Sequence, residues 1–156
     1  MSLSAPSRKT KIIAVSSAGG HWVQLLRLRP AFADCDVTFV TVKESYRRDV
    51  GDAKFRVIPD GTRWNKIALL RSCLGAFWML AQERPDVVIT TGAAPGYFCV
   101  RLAKLFGART VWLDSVANAE ELSMSGQKAG RHVDLWLTQW PQLAKENGPQ
   151  YRGNVL

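Results

Sequence analysis

Short apolar runs alternate along the chain with polar, glycine-containing breaks. KIIAVSS (11–17) is an apolar run that ends in Ala18-Gly19-Gly20-His21, the pattern of a buried strand entering a glycine turn. Apolar positions at Trp22, Leu25, Leu26 and Leu28 then predict a helix over 22–32. DVTFVTV (36–42) is rich in β-branched residues and predicts a second strand. KFRVIPD (54–60) predicts a third, stopped by Pro59 and Gly61. A long apolar helix is predicted over 65–83, ending before Pro85. DVVITTG (86–92) predicts a fourth strand, and 95–106 a helix with Gly107 at its C-cap. RTVWLDS (109–115) and VDLWLTQW (133–140) predict the last two strands.

Strands alternating with helices, and strands that are continuously apolar, predict a parallel sheet covered on both faces. The fold class is therefore α/β, one Rossmann-like doubly wound sheet in the order 3-2-1-4-5-6. Its ligand crevice is expected at the carboxyl ends of strands one and four. Residues 1–10 are expected to be a flexible lead-in, and 11–156 the domain. The polar stretch 116–131 is expected to be an excursion over the crevice.

Composition narrows the class. The chain has 156 residues, 47% apolar and 22% charged, which suits a globular domain and excludes a disordered one. Cys35, Cys73 and Cys99 are widely spaced and form no CxxC pair, so they read as thiols in a reducing compartment and not as a zinc site. No signal peptide is visible in MSLSAPSRKTK. The net charge of +8 favours an anionic partner, but the basic residues are scattered, and a solvated basic surface with no dedicated partner fits as well.

Four places can carry chemistry. Ser17, Gly19, Gly20 and His21 lie between the first strand and first helix. Two glycines let the backbone approach a ligand, and a helix start offers free N–H groups to a phosphate. The pattern is not GxGxxG, and no acidic residue follows strand two for a ribose, so a nicotinamide cofactor is disfavoured and no cofactor is expected. His21 suits a base or a phosphate donor; a helix-capping histidine has the same local sequence. Thr91, Gly92, Ala93 and Gly96 form a second strand-to-helix loop, with Pro95 suited to the first helical turn. Asp114 and Ser115 end strand five, where a carboxylate can take a proton, hold a sugar hydroxyl, or cap a helix. In the 65–83 helix, Ile67, Leu69, Leu70, Leu74, Phe77, Trp78, Met79 and Leu80 cover nearly all sides, beside Lys66 and Arg71. That helix is too short and too interrupted to span a bilayer. It fits a membrane interface, with Phe77 and Trp78 inserted and Lys66 and Arg71 on lipid phosphates, or equally a core helix or a subunit contact.

SSAGGHWVQLLRL, TTGAAPG, KLFGARTVWLDSVAN, ELSMSGQ and DLWLTQWP, in this order, resemble the acceptor-side subunits of bipartite glycosyltransferases. These include PssD-like exopolysaccharide proteins and the eukaryotic asparagine-linked glycosylation subunit that anchors its catalytic partner. The family is similar in turn to the N-terminal half of MurG, a GT-B enzyme. The resemblance implies an inverting transferase in which this chain binds a lipid-linked saccharide acceptor and a separate subunit binds a nucleotide sugar, expected to be a UDP-sugar. It implies His21 as first candidate for the base and Asp114 as second, with Ser17, Gly19, Gly20, Thr91, Gly92, Ala93, Gly96 and Ser115 binding the acceptor's pyrophosphate. Relatives often have Glu where this chain has Asp114. Eukaryotic members carry an N-terminal membrane anchor that is not seen here. The chain is therefore expected to be cytoplasmic, attached peripherally to an anionic membrane surface at the cytoplasmic face of the inner membrane, with no nucleic-acid partner. Two other functions compete: a recruitment module without a catalytic group, and a stand-alone nucleotide-binding protein.

Overall fold

Parallel strands cannot be joined by tight hairpins; each needs a crossover, usually helical. The computed structural model describes residues 7–156. It runs β1 (Lys11–Val15), α1 (Gly20–Arg27), β2 (Asp36–Thr41), β3 (Lys54–Val57), α2 (Lys66–Glu83) and β4 (Val87–Thr90). Then come α3 (Ala93–Ala103), β5 (Arg109–Leu113), α4 (Met124–Gly130), β6 (Leu135–Thr138) and β7 (Gln150–Tyr151). The strands form one sheet, ordered β3-β2-β1-β4-β5-β6-β7, and every pairing is parallel. The expected order holds, with one further strand at the edge. Residues 1–6 of the expected lead-in lie outside the described residues.

The sheet is covered on both faces, as its apolar strands require. Alternate residues of β1 point opposite ways. Ile13 and Val15 join Val40, Val88 and Trp112 under α2 and α3, with Met79, Leu80, Cys99 and Val100. Ile12 and Ala14 join Phe39, Phe55, Trp22, Leu25 and Phe32 on the α1 side. Burial pushes the Cys99 thiol up to about 12, so it is an inert core group.

Three local expectations change. The helix expected over 22–32 divides into α1 and a separate 3-10 turn, Arg29–Phe32, because Pro30 lacks an N–H and starts a new turn. The excursion expected over 116–131 contains α4, which packs against α3 and β5 as the crossover helix of the β5–β6 unit. The two-residue β7 exists through its pairing with β6, Leu137 opposite Gln150 and Thr138 opposite Tyr151.

Charged groups tie the strands together at their N-terminal ends, away from the expected crevice. Asp86 accepts from the Lys11 N–H and from Arg8, each at 2.8 Å, joining β1 to the start of β4. Asp134 accepts from the Thr110 N–H at 2.8 Å and from the Lys104 ammonium at 2.6 Å, joining β5 to the start of β6. Lys54 pairs with Asp36 at 2.9 Å across β2 and β3. Arg8, and after it the Lys11 N–H, hold the Asp86 carboxyl below the usual carboxylate range. Lys104, and after it Thr110, do the same for Asp134.

A carboxyl whose folded pKa is lowered adds stability above its unfolded pKa and loses it as pH falls through the folded value. Stability should therefore fall on acidification from the ordinary carboxylate range downward. Asp86→Asn and Asp134→Asn should each flatten that acid limb, measured as the denaturant midpoint against pH. Acid limbs identical to that of the unmodified protein would contradict the ties.

Candidate functional site

In a doubly wound sheet every crossover helix returns antiparallel to its strands, so the helix starts collect at the strands' carboxyl ends. α1 and α3 begin there, beside each other. Gly19, at the N-cap of α1, has φ +73, which a side chain rarely adopts. Gly19 and Gly20 are exposed, with no atom within 4 Å of where a Cβ would stand. Among the described residues, no acceptor meets the N–H groups of Gly20, His21, Ala93 or Ala94.

His21 sits between the two loops, partly exposed. Its Nδ1 lies 2.8 Å from the Thr91 carbonyl oxygen. A carbonyl can only accept, so Nδ1 carries the proton and Nε2 of the neutral ring keeps its lone pair. Thr91 Oγ1 donates in return to the His21 carbonyl at 2.7 Å. The structure thus brings His21 to the crevice at the ends of β1 and β4, as expected.

It brings other expected site residues elsewhere. Thr91, Gly92 and Gly96 are buried. Thr91 spends its hydroxyl on the His21 carbonyl. Gly96 is packed against Thr90, whose Oγ1 lies 2.0 Å from where a Cβ would stand. Ser115 is buried, accepting from Gln24 Nε2 at 3.1 Å and the Ala117 N–H at 3.2 Å. These side chains face the interior, and what remains open to a ligand is the Gly19–Gly20 turn and the start of α3. Ser17 is partly exposed, and its hydroxyl donates only weakly, at 3.5 Å, to the Ala18 carbonyl.

Asp114 is 1% exposed, so its carboxylate does not line the open crevice. Oδ2 accepts from the Ser123 N–H at 2.9 Å, and Oδ1 from the Ser123 hydroxyl and from Trp112 Nε1. Ser123 caps α4, its Oγ accepting from the Gly126 N–H at 2.9 Å. A Cβ on Gly126 would stand 2.8 Å from Asp114 Oδ1 and 2.7 Å from Ser123 Oγ. The carboxylate at the end of β5 is thus the foundation on which α4 starts.

Three contributors escaped the sequence reading. Gln24 and Gln139 are buried, with Gln139 Nε2 donating to Gln24 Oε1 at 2.6 Å. Tyr46, in the 3-10 segment Glu44–Asp49, accepts the Gly19 N–H at 3.1 Å on its hydroxyl and stacks on Trp22. None of the three sits in a glycine loop or a periodic pattern, which were the signals available.

The outer face of α2 is apolar and open. Ile67 is 72% exposed and Trp78 66%, and Leu70, Leu74 and Phe77 are also exposed. Lys66 and Arg71 are exposed on the same helix. Met79, Leu80, Ala76 and Ser72 face the core. Just before α2, the Arg63 guanidinium lies over the Trp64 ring and 3.9 Å from Met124 Sδ at the start of α4. Among the described residues, no helix is long and apolar enough to cross a membrane.

The family model described as "Oligosaccharide biosynthesis protein Alg14 like" matches residues 41–155. The human UDP-N-acetylglucosamine transferase subunit ALG14 is 25% identical, over 97% of this chain and 85% of its own length. The Schizosaccharomyces pombe protein of the same description is 33% identical, over 60% of this chain and 52% of its own length. In fold, the chain is similar to Acinetobacter baumannii MurG, with TM-score 0.75 at 14% identity, covering 94% of this chain and 46% of that one. It is also similar to the UDP-GlcNAc 2-epimerase of Methanocaldococcus jannaschii, with TM-score 0.63 at 11% identity, covering 83% of this chain and 39% of that one. It therefore spans less than half the length of either structure, and has the Rossmann-like fold of the N-terminal half of MurG.

Removing the Asp114 carboxylate should unseat α4. Asp114→Ala strands the buried Trp112 Nε1–H and two half-buried Ser123 donors, and should cost about 3 kcal/mol in chemical denaturation. Hydrogen exchange should quicken over residues 123–130 before it does in β1. A loss under about 1 kcal/mol would contradict the structural role.

Proposed function

The chain belongs to the family of Alg14-like oligosaccharide biosynthesis proteins, and from that premise we propose that it is the acceptor-binding, membrane-recruiting subunit of a two-component inverting glycosyltransferase. The reaction moves a sugar from a nucleotide sugar, a UDP-sugar, to a lipid-linked saccharide in polysaccharide biosynthesis. The relatives' description as subunits of a UDP-N-acetylglucosamine transferase supports the donor class and the division into subunits. The second subunit contributes the donor site, and the reacting atoms meet between the two chains.

The observation that carries the catalytic part is the His21 ring. With Nδ1–H committed to the Thr91 carbonyl, Nε2 is the atom left to accept a proton. The acceptor hydroxyl gives its proton to Nε2 while its oxygen attacks the anomeric carbon. The bond from that carbon to the diphosphate breaks, and the nucleoside diphosphate leaves from the opposite face with inversion. The acceptor's pyrophosphate is held by the N–H groups of Gly20 and His21 and those of Ala93 and Ala94, two helix starts that both favour negative charge. Asp114, engaged by Ser123 and Trp112, gives way to His21 as the base.

Attachment to an anionic membrane at the cytoplasmic face is peripheral, through the open face of α2. Trp78, Phe77, Leu74, Leu70 and Ile67 enter the interface, while Lys66 and Arg71 meet lipid phosphates.

In the reconstituted pair, His21→Ala should lower turnover by roughly 10²–10⁴ with little change in folding. His21→Asn should recover little, because an amide cannot take the proton. Near-normal turnover of the alanine variant would leave the chain a recruitment subunit without a catalytic group.

Binding to vesicles with phosphatidylglycerol should weaken as salt rises, and should weaken further in Trp78→Ala. Co-sedimentation measures both. Equal binding to neutral and anionic vesicles, unchanged in Trp78→Ala, would exclude this face.

A further inference from the structure

The sequence TTGAAPG resembles a phosphate loop, yet its buried parts are built around a side chain from another element. We infer that Thr91 and Gly92 form a seat for His21, with Thr91 the positioning residue that fixes the ring's tautomer and aim. The inference rests on the reading of His21 as the base.

The seat has two reciprocal hydrogen bonds. His21 Nδ1–H donates to the Thr91 carbonyl at 2.8 Å, and the Thr91 hydroxyl donates to the His21 carbonyl at 2.7 Å. Either bond alone lets one loop pivot against the other. Together they hold residue 91 flat against residue 21, backbone to ring and side chain to backbone. Thr91 is fully buried, so water does not compete on its side of these bonds.

The glycine serves the same purpose. A Cβ on Gly92 would stand 2.9 Å from His21 Cε1 and 3.0 Å from Nδ1, and Gly92 has φ +129. Any side chain there would push the ring off the carbonyl. The Gly92 N–H is pinned by Thr90 Oγ1 at 3.0 Å, and Thr90 Oγ1 has its place because Gly96 has no Cβ. Ala93, next along, has φ +68, a left-handed conformation that favours glycine and that an alanine holds only under strain. Thr90, Gly92, Ala93 and Gly96 thus shape the loop, and its shape aims the Thr91 carbonyl at the imidazole.

The chemical consequence is a choice of nitrogen. Free imidazole exchanges between two neutral tautomers, and only one leaves Nε2 as acceptor. The Thr91 carbonyl selects that one, and it continues to accept from Nδ1–H after Nε2 takes the acceptor's proton. The ring therefore need not turn during the reaction.

Nitrogen-15 spectra of the His21 ring, recorded on the full chain, and steady-state kinetics of the reconstituted pair test this together. The unmodified chain should show Nδ1 protonated and Nε2 as acceptor in the neutral ring. Thr91→Val keeps the shape and the carbonyl but removes the hydroxyl. By freeing the loop to pivot it should weaken the Nδ1–H bond to the carbonyl, shift the ring-nitrogen signals toward those of a free imidazole and lower kcat about tenfold, the size of one net hydrogen bond, with KM for the acceptor unchanged. Thr91→Ser should restore both readouts. Gly92→Ala, if folded, should displace the ring and lower kcat at least as much. A Thr91→Val protein that keeps the original ring-nitrogen shifts or the original kcat overturns the assignment. Failure of the base reading shows separately, as full turnover in His21→Ala whatever Thr91→Val does.

Discussion

Two buried glutamine side chains join the segments that meet at the carboxyl end of the sheet. Gln24, on α1, accepts from the Val116 N–H at 3.0 Å and from Gln139 Nε2 at 2.6 Å. It donates to the Gly20 carbonyl and to Ser115 Oγ. Gln139, just after β6, donates to the Asp114 carbonyl at 3.0 Å and accepts the Val155 N–H at 2.9 Å. An amide carries donors and acceptors on one short plane, so two of them can satisfy four backbone groups from three segments without water or charge. Buried backbone groups cost about 1–3 kcal/mol each when unpaired, so this pair is a condition for the loops to lie where they do. The α1 turn that presents His21 is held from beneath by the Gln24 bond to Gly20.

The two ends of the sheet solve the same problem with different chemistry. At the N-terminal ends, neighbouring strands are tied by Asp86, Asp134 and Asp36 with Arg8, Lys104 and Lys54. These pairs are partly exposed, where charge is inexpensive to keep and each pair contributes little. At the carboxyl end the ties are neutral amides, hydroxyls and carbonyls. Among the described residues, no carboxylate accepts from the N–H groups at the two helix starts that face the crevice. Asp114 carries charge there, but its oxygens are turned to Ser123 and Trp112.

The strands and their order were legible because continuous apolar runs separated by helical periods leave few topologies. His21 was legible because a strand, two glycines and a histidine place it at a helix start. The roles of the other glycines were not. A glycine that opens room for a ligand and one that opens room for a neighbouring side chain look the same in sequence. Gly20 faces open space; Gly92, Gly96 and Gly126 are the second kind, and the atoms they make room for come from His21, Thr90 and Asp114. α4 stayed hidden for a related reason: MSGQKAG has two glycines and little periodicity, and its start depends on Asp114, nine residues before Ser123. Gln24 and Gln139 looked like ordinary polar positions, since nothing local in either segment shows that they meet.

The apolar face of α2 was visible as a helix hydrophobic on nearly all sides, a pattern shared by core helices and interfacial ones. The fold separates the two by burying Met79 and Leu80 and leaving Ile67, Leu70, Leu74 and Trp78 outside. From Ile67 to Trp78 the stripe is about 16 Å long at 1.5 Å per residue, which suits lying in an interface and not crossing it. Its position follows from topology. α2 leaves β3 and returns to β4, so it must begin at the carboxyl end of the sheet, where Arg63 reaches Met124 at the start of α4. Only the Ile67 end of the stripe lies at the end of the sheet where the His21 crevice opens; Phe77, packed on Phe106 just before β5, lies toward the other end. On the function proposed above, the start of the stripe is the part that would place an acceptor's lipid beside the crevice, and it is topology that sets that start there.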